Sequence, residues 1–529
     1  MIDKLIRLFY KYPNVPGVSP RSLNHLAFGV AKSAKPQVTL AMQSICDRFY
    51  FLLFGAICVR LGERLRLRTD LVLTQSVNGA IGTGILAELK RSAPAAFLRS
   101  AQWVRAYGQW VDRIAYRCES WSHPISDIQD WLHSKYLWQI LQSQQDNFSL
   151  QINGIEIADL LIDSYLRFKP SPTFSVSDTF VRRLIWQALR DERQARAYFD
   201  RVRPTWYLSS HTTYLEHGIP VRVALSLGVE VWSFGNLNGL GKKLSIEDSF
   251  HTPNFSNYRN TFNQLDRQDE RLFEAQVQLE RRFSGSIDAA TSYMRQSAYA
   301  NANKQVSLPA NLKDAVVVFL HDFYDSPHVY PDLLFNDFWD WINFTITTLQ
   351  LAGETIFLKP HPNQIALSDE ALSGLRTQYP DLNWLPAGIS NVELAKVGIA
   401  CGVTVYGTVA HEMAYLGIPT IGCARHPHHA FDFCRTAKSR DEYVAMLNSP
   451  RVLPLPVEAM QRQALMFYYM HNLCGSDEER DLAGSFISLW KDCNFGDDTE
   501  EAIIQQLKAF VAQPGFDSFI SLLARKGEQ

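Results

Sequence analysis

The chain has 529 residues, with 46% apolar and 12% aromatic side chains and 52 Lys and Arg against 54 Asp and Glu. That length exceeds one modest hydrophobic core, so two large domains are expected, and the aromatic content excludes disorder over most of the chain. A formal net charge of −2 provides no global attraction for nucleic acid or an anionic membrane.

The chain starts MIDKLIRLFYKYPNV, which lacks the clean apolar core and small-residue cleavage site of a signal peptide. A cytoplasmic protein is therefore expected. Cationic and aromatic residues at helical spacing in KLIRLFYKY, 4–12, leave contact with the inner face of a membrane open. The strand candidate PQVTLAMQS, 36–44, leads to the apolar run YFLLFGAICV, 50–59. That run is too short to span a bilayer and reads as a buried helix. DLVLT within 65–76 is a second strand, followed by Gly79, Gly82 and Gly84 before a helical pattern. Their spacing is not that of a dinucleotide fingerprint, but a glycine-bearing turn into a helix suits close approach to a ligand. From 93 to 200 the pattern is mainly helical.

A strand-helix-strand unit follows at 204–235. TWYLSS and VEVWSFG are the strands and YLEHGIPVRVALSLG is the helix, as in a mostly parallel sheet. Ser209, Ser210, His211, Glu216 and His217 lie at or beyond the first strand's carboxyl end, where ligand crevices form. The polar tract 250–305 reads as a partly helical connection, and 306–314 as the domain boundary. Beyond it, buried strands alternate with helices: VVVFL, ETIFL, LNWL, IACGV and IPTIG. This is the rhythm of a doubly wound sheet. Ser390 and Glu393 form a capping box, and 480–520 is helical. The expected domains are 1–305, 306–480 and a C-terminal helical tail, 481–529, packing back across both. None of the eight cysteines forms a C-x-x-C pair, so free thiols are expected.

Chemistry-bearing groups gather at strand ends. In KPHPN, 359–363, Lys359, His361 and Asn363 sit in a loop stiffened by two prolines, which suits a phosphate. In TVYGTVAHEMAYLGIP, Gly407 and Thr408 open a helix whose first turn offers free N–H groups. Glu412, one turn on, can accept ribose hydroxyls. In HDFYDSPH, 321–328, His321, Asp322 and Asp325 follow a buried strand. A catalytic carboxylate is expected among Asp322, Asp325 and Glu216, with Asp322 first. Asp325 with Ser326 and Pro327 is also an ordinary turn. RHPHHAFDF, 425–433, places Arg425 and three histidines beyond another strand. No ordered carboxylate spacing accompanies them, so contact with substrate or phosphate is favoured over a metal.

FLKPHPN, 357–363, and YGTVAHEMAYLGIP, 406–419, resemble the nucleotide-binding half of bacterial capsule and surface-polysaccharide glycosyltransferases of the GT-B fold, in the group that includes Kdo transferases. The stretches HDFYDSPH and SSHTTYLEHGIPVRVALSLGVEVW look similar to that group as well. The resemblance covers about 204–240 and 314–435. It implies an α/β fold of two Rossmann-like domains facing across a cleft, with added helices. It implies a nucleotide-sugar donor, CMP-Kdo among the candidates, bound on the C-terminal domain through His361, Thr408 and Glu412. The acceptor would be a glycan or lipid-linked glycan, within or beside a polysaccharide-assembly complex. No metal and no separate cofactor is implied.

Two other enzymatic functions fit the same residues. A CDP-polyol phosphotransferase of teichoic-acid type would use a base histidine such as His211 or His321. A nucleotide-sugar epimerase shares the fold and needs no acceptor. A scaffold in an assembly complex would lack the phosphate-binding residues, which are present.

Overall fold

The computed structural model describes residues 36–43, 47–73, 106–108, 110–117, 124–144, 148–169, 171–236, 239–253, 255–292, 294, 297, 299, 308–361, 366–495 and 499–527. The chain divides into two compact units. Unit 1 comprises Met1–Pro170, Ser175–His251 and Gly475–Gln529; unit 2 comprises Ser171–Phe174 and Thr252–Cys474.

Unit 1 is built on the strands β1 (Val38–Gln43), β2 (Leu67–Leu73), β3 (Arg113–Arg117), β6 (Trp206–Ser209), β7 (Glu230–Ser233) and β8 (Lys242–Lys243). A separate hairpin, β4 (Gln151–Ile152) with β5 (Ile155–Glu156), lies outside that sheet. The sheet order is β3-β2-β1-β6-β7-β8, parallel except for β8. Central strand β1 buries Leu40, Ala41 and Met42 completely, as a parallel strand covered on both faces must.

Helix α1 (Arg48–Gly62) is buried along most of its length, because its apolar residues run all round it. Asp47 caps it by accepting from the Tyr50 amide at 3.1 Å. No described helix is long and apolar enough to cross a membrane. Helices α2 (Thr179–Val202) and α3 (Leu215–Ser226) pack on one another. The mainly helical reading of 93–200 overlooked β3 and the β4–β5 hairpin, both too short for a strong alternation.

In unit 2, α4 (Gln268–Phe283) precedes a sheet made of β9 (Val316–Phe319), β10 (Ile356–Lys359), β11 (Asn383–Trp384), β12 (Cys401–Val403), β13 (Thr420–Gly422) and β14 (Arg435–Thr436). Its helices include α5 (Phe338–Leu351), α6 (Asn391–Val397), α7 (Val409–Tyr415) and α8 (Val457–Asn472). The expected capping box at Ser390 and Glu393 opens α6. The order is β11-β10-β9-β12-β13-β14, all parallel. Setting aside the detached hairpin, both sheets run 3-2-1-4-5-6 in chain order, the Rossmann arrangement. The direction of winding reverses between β1 and β6 in unit 1, and between β9 and β12 in unit 2.

The chain divides elsewhere than at the expected 306. Residues 252–305 contribute to unit 2, because the apolar stripe of Phe262, Leu272, Ala275 and Leu279 joins the cluster of Met460, Ala464 and Phe467 on α8. The tail belongs to unit 1: its helices Asp477–Phe495, Glu500–Val511 and Pro514–Gly527 complete the core of that unit, with Phe486 edge-on to Phe49 at 5.1 Å. Among the described residues, six cysteines are free thiols and five of these are buried.

Candidate functional site

The reversal point of unit 2 opens into a cavity of about 160 Å³. The Leu320 amide donates to the Lys359 carbonyl at 2.9 Å, so the ends of β9 and β10 emerge side by side. His321 and His361 thereby reach the same cavity as Thr404, Gly407 and Thr408, which follow β12. Lys359 is 7% exposed and its Nζ donates to the Ala387 carbonyl at 3.2 Å. Burial lowers its pKa to about 8, although Glu412 works in the opposite direction. Burial and the Lys359 charge also lower the His361 pKa, against the Asp322 carboxylate. His321 stacks on Phe338 at 4.8 Å and meets the Thr404 hydroxyl through Nε2 at 3.2 Å. Burial brings its pKa to about 3, so both imidazoles are neutral near pH 7.

Glu412 lines the cavity but is already engaged. Arg282 Nε donates to Oε1 at 2.9 Å, and Tyr299 and Asn391 both donate to Oε2. Burial alone would raise its pKa. The Arg282 guanidinium, His411 and the Tyr299 hydroxyl outweigh that, leaving the carboxyl below its ordinary range. Arg282 also holds Asp288 and the Thr291 hydroxyl, each at 2.9 Å. The Asn391 Oδ1 is buried without a hydrogen-bond partner among the described residues. Arg282 is thus matched by two carboxylates, Glu412 in the lining and Asp288 behind it, and Lys359 is the lining cation available to an anion.

Sequence reasoning missed Arg282, Tyr299, Asn391 and Thr404. For Arg282 a signal existed: Leu272, Ala275 and Leu279 form the buried stripe of α4, and Arg282 continues it. A charge in register with an apolar stripe implies a buried partner.

The remaining expected residues are more dispersed. Asp322 does not line the cavity; its Oδ1 accepts from the Ser368 hydroxyl at 2.7 Å and the Tyr324 amide at 3.0 Å. Asp325 is exposed and accepts from the Ser326 amide at 2.9 Å, as a turn residue does. Arg425 is an exposed partner of Asp332 at 2.6 Å, away from the cavity lining. Thr408 precedes α7 without a side-chain capping bond. His426 and His428 are 2% and 1% exposed, buried in spite of the polar composition around them. Asn363 and the glycines Gly79, Gly82 and Gly84 lie outside the described residues, as does 4–12.

Unit 1 carries its own polar group at its reversal point. Gln43, at the end of β1, donates from Nε2 to the Glu216 carbonyl at 3.1 Å and meets His217 Nδ1 at 2.7 Å. Its Oε1 accepts from the Ser209 hydroxyl at 3.1 Å. His211 packs against His251 and His217 at ring separations of 5.3 and 6.0 Å. Glu216 is buried, with Oε1 3.4 Å from His217 Nε2. Burial, then the neighbouring imidazoles, hold His211 well below its usual pKa; burial and Lys242 bring His251 to about 4. Neutral imidazoles beside a carboxylate can accept protons. Tyr214, entering α3, has φ +64°, a left-handed conformation in which backbone strain is stored.

Two Rossmann-like α/β units in one chain, each with polar groups at its reversal point, define a GT-B-like architecture. No protein-family model matches the sequence, and no curated protein matches it. Among solved structures, the chain is similar to the Streptomyces sp. SF2575 glycosyltransferase SsfS6, at 10% identity over 81% of this chain and 95% of that one, with a TM-score of 0.22. It is similar to UDP-GlcNAc 2-epimerase from Neisseria meningitidis bound to UDP-GlcNAc, at 9% identity over 80% and 97%, TM-score 0.23. It is also similar to Anabaena Alr3699/HepE in complex with UDP and glucose, at 9% identity over 90% and 99%, TM-score 0.24. The class follows from the two sheet orders themselves.

Proposed function

We propose that this protein is a glycosyltransferase that takes a sugar from a nucleotide-activated donor and passes it to a surface glycan or glycolipid. The observation that carries this reading is the unit 2 cavity, where Lys359, His361 and Arg282 converge beside Glu412 at the carboxyl ends of β9, β10 and β12. In this reading the donor phosphate lies against Lys359 and His361, and the cation stabilises the charge that develops on the departing nucleotide without a bound metal ion. Asn391 supplies an acceptor for a ribose hydroxyl, the task Glu412 is less free to perform. Asp322 acts through His361, whose protonated form it favours. On unit 1, Glu216 and the histidines beside it are the groups that would relieve an acceptor hydroxyl of its proton. CMP-Kdo is one donor of this class, and capsule assembly is the matching setting.

A second reading, transfer of a polyol phosphate from a CDP-linked donor, is favoured by one observation. His211 is held neutral among two further histidines, as a base that activates a hydroxyl must be. A thermal-shift series with CMP, CDP, UDP and GDP, on the wild type and His361→Ala, tests both. A ligand at a hundred times its Kd stabilises the native state by about 2.7 kcal/mol. A shift with one nucleotide that disappears in the variant supports the donor site. CMP, UDP or GDP points to sugar transfer and CDP to polyol phosphate. An equal shift in wild type and variant moves the donor away from His361, and the absence of any shift refutes the site.

A further inference from the structure

The connection from β13 to β14, residues 423–434, has no part in the proposed donor chemistry, yet it gathers three side chains typical of metal sites. His426, His428 and Cys434 are all buried, and one ligand atom from each lies within 4.8 Å of the others. Neither ring nitrogen of His428 closes a well-formed hydrogen bond, nor does Nδ1 of His426, among the described residues, although the Gly407 backbone lies close enough to the His428 ring to favour its protonated form. Nε2 of His426 meets the Thr436 hydroxyl at 2.6 Å, which fixes that ring and leaves Nδ1 as the available donor atom. Three unsatisfied nitrogens in an apolar setting are costly unless something binds them.

The surroundings leave room for these groups. A Cβ on Gly422 would stand 3.2 Å from the Val405 carbonyl, 3.7 Å from Cys434 Sγ and 3.7 Å from His426 Cδ2. The backbone at the end of β13 therefore forms one wall against which the histidine and the thiol pack. His429 is not part of the group, since its Nδ1 is taken by the His426 carbonyl at 2.6 Å.

We propose that His426, His428 and Cys434 bind one borderline-soft transition-metal ion, zinc in the first instance, which ties the β13–β14 connection to the sheet of unit 2. One thiolate and two imidazoles favour zinc over the hard, oxygen-seeking calcium and magnesium. Metal–nitrogen and metal–sulfur bonds of about 2.0–2.3 Å place tetrahedral ligands about 3.3–3.8 Å apart, so atoms already within 4.8 Å of one another need close by no more than about 1.5 Å. The rings of His426 and His428 are stacked 3.3 Å apart between centroids, so they must turn for both in-plane lone pairs to meet one ion. Binding replaces the thiol proton, which leaves to solvent as the sulfur–metal bond forms. Three protein ligands leave a fourth position for water. The ion's effect on stability does not depend on the donor reading of the cavity.

The test is cobalt(II) titration of the full chain after removal of metal by a chelator, followed in the near-ultraviolet and visible, with metal content measured in parallel. Expected is one equivalent per chain, with a thiolate-to-cobalt charge-transfer band that zinc displaces. Cys434→Ser removes the band, and His428→Gln lowers the affinity at least tenfold. Adding zinc raises the Tm of the wild type and leaves that of Cys434→Ser unchanged. Absence of the band in the wild type overturns the proposal. So does a band of full strength in Cys434→Ser, which would assign the ion to another thiol. Both readings use the wild-type fold or a near-isosteric change, so a variant that fails to fold cannot shelter the idea.

Discussion

Replacing Arg282 with Met tests how unit 2 tolerates a carboxylate in its interior. Glu412 is 3% exposed and receives Arg282 Nε at 2.9 Å. Removing the guanidinium leaves that charge with hydrogen bonds from Tyr299 and Asn391 alone, while Asp288 loses its ion pair but keeps the Thr291 amide and hydroxyl. Breaking one side of a buried pair costs about 3–5 kcal/mol. In a unit of this size each kcal/mol moves Tm by about 2–4 °C, so the transition of unit 2 falls by about 6–20 °C in calorimetry. The double variant Arg282→Met/Glu412→Gln is expected to recover much of the loss, because neither partner is then left charged and alone.

Acidity supplies a second readout of the same pair. The folded-state pKa of Glu412 lies below its ordinary 4.5, so its contribution is present above that value and is lost as pH falls through the folded pKa. In Arg282→Met the effect of burial is no longer opposed by the guanidinium, and the carboxyl protonates more readily. The gap between wild type and variant therefore narrows as pH falls through the pKa of the variant's carboxyl, which lies above that of the wild type. A double variant as unstable as the sum of the two single changes, or a gap that stays constant with pH, would refute the pairing argument.

Two further outcomes are expected. Nucleotide binding measured by calorimetry should weaken as pH rises through about 8, the Lys359 pKa, by up to about tenfold per pH unit, because only the protonated amine attracts phosphate. Lys359→Met should bind more weakly and lose that dependence; a flat profile in the wild type would remove Lys359 from the site. Ending the chain after Cys474 removes Phe486, Leu489, Phe510, Phe516, Ile520 and Leu523 from the core of unit 1. At about 1.5–3 kcal/mol each, their loss matches or exceeds the stability of a typical domain. Limited proteolysis should then cut throughout unit 1 while 252–474 persists, and a protease-resistant unit 1 would contradict the assignment of those helices.

The sheet of unit 2 was legible because VVVF and IFLK are apolar runs bounded by helical patterns, and strands buried on both faces must look so. Lys359 and His361 were visible for a related reason: polar residues that end a buried strand have little to do there except meet a ligand or a partner. Asp325 and Arg425 could not be separated from them by sequence, since an aspartate after a strand and an arginine in a loop look the same whether they face a cavity or solvent. The Arg282–Glu412 pair joins residues 130 positions apart, and nothing local announces such a partner. The boundary at 306 was misplaced because 252–305 is polar on average. Its few apolar residues matter through their position on one helical face, where they meet α8. The buried histidines of 426–429 were hidden in the same way, by a composition that suits a surface loop.

The return of the chain to unit 1 at Gly475 has a consequence for biosynthesis. Residues 38–251 leave the ribosome long before the helices that complete their core. At about 5–20 residues per second, the interval between His251 and Leu523 is on the order of tens of seconds. Through that time Phe49 on α1 lacks the cover of Phe486, whereas the sheet of unit 2, the later one in the chain, can close as soon as its own last strand appears. The earlier-made half is thus the last to finish, and the nascent chain carries an exposed apolar seam of the kind that chaperones bind.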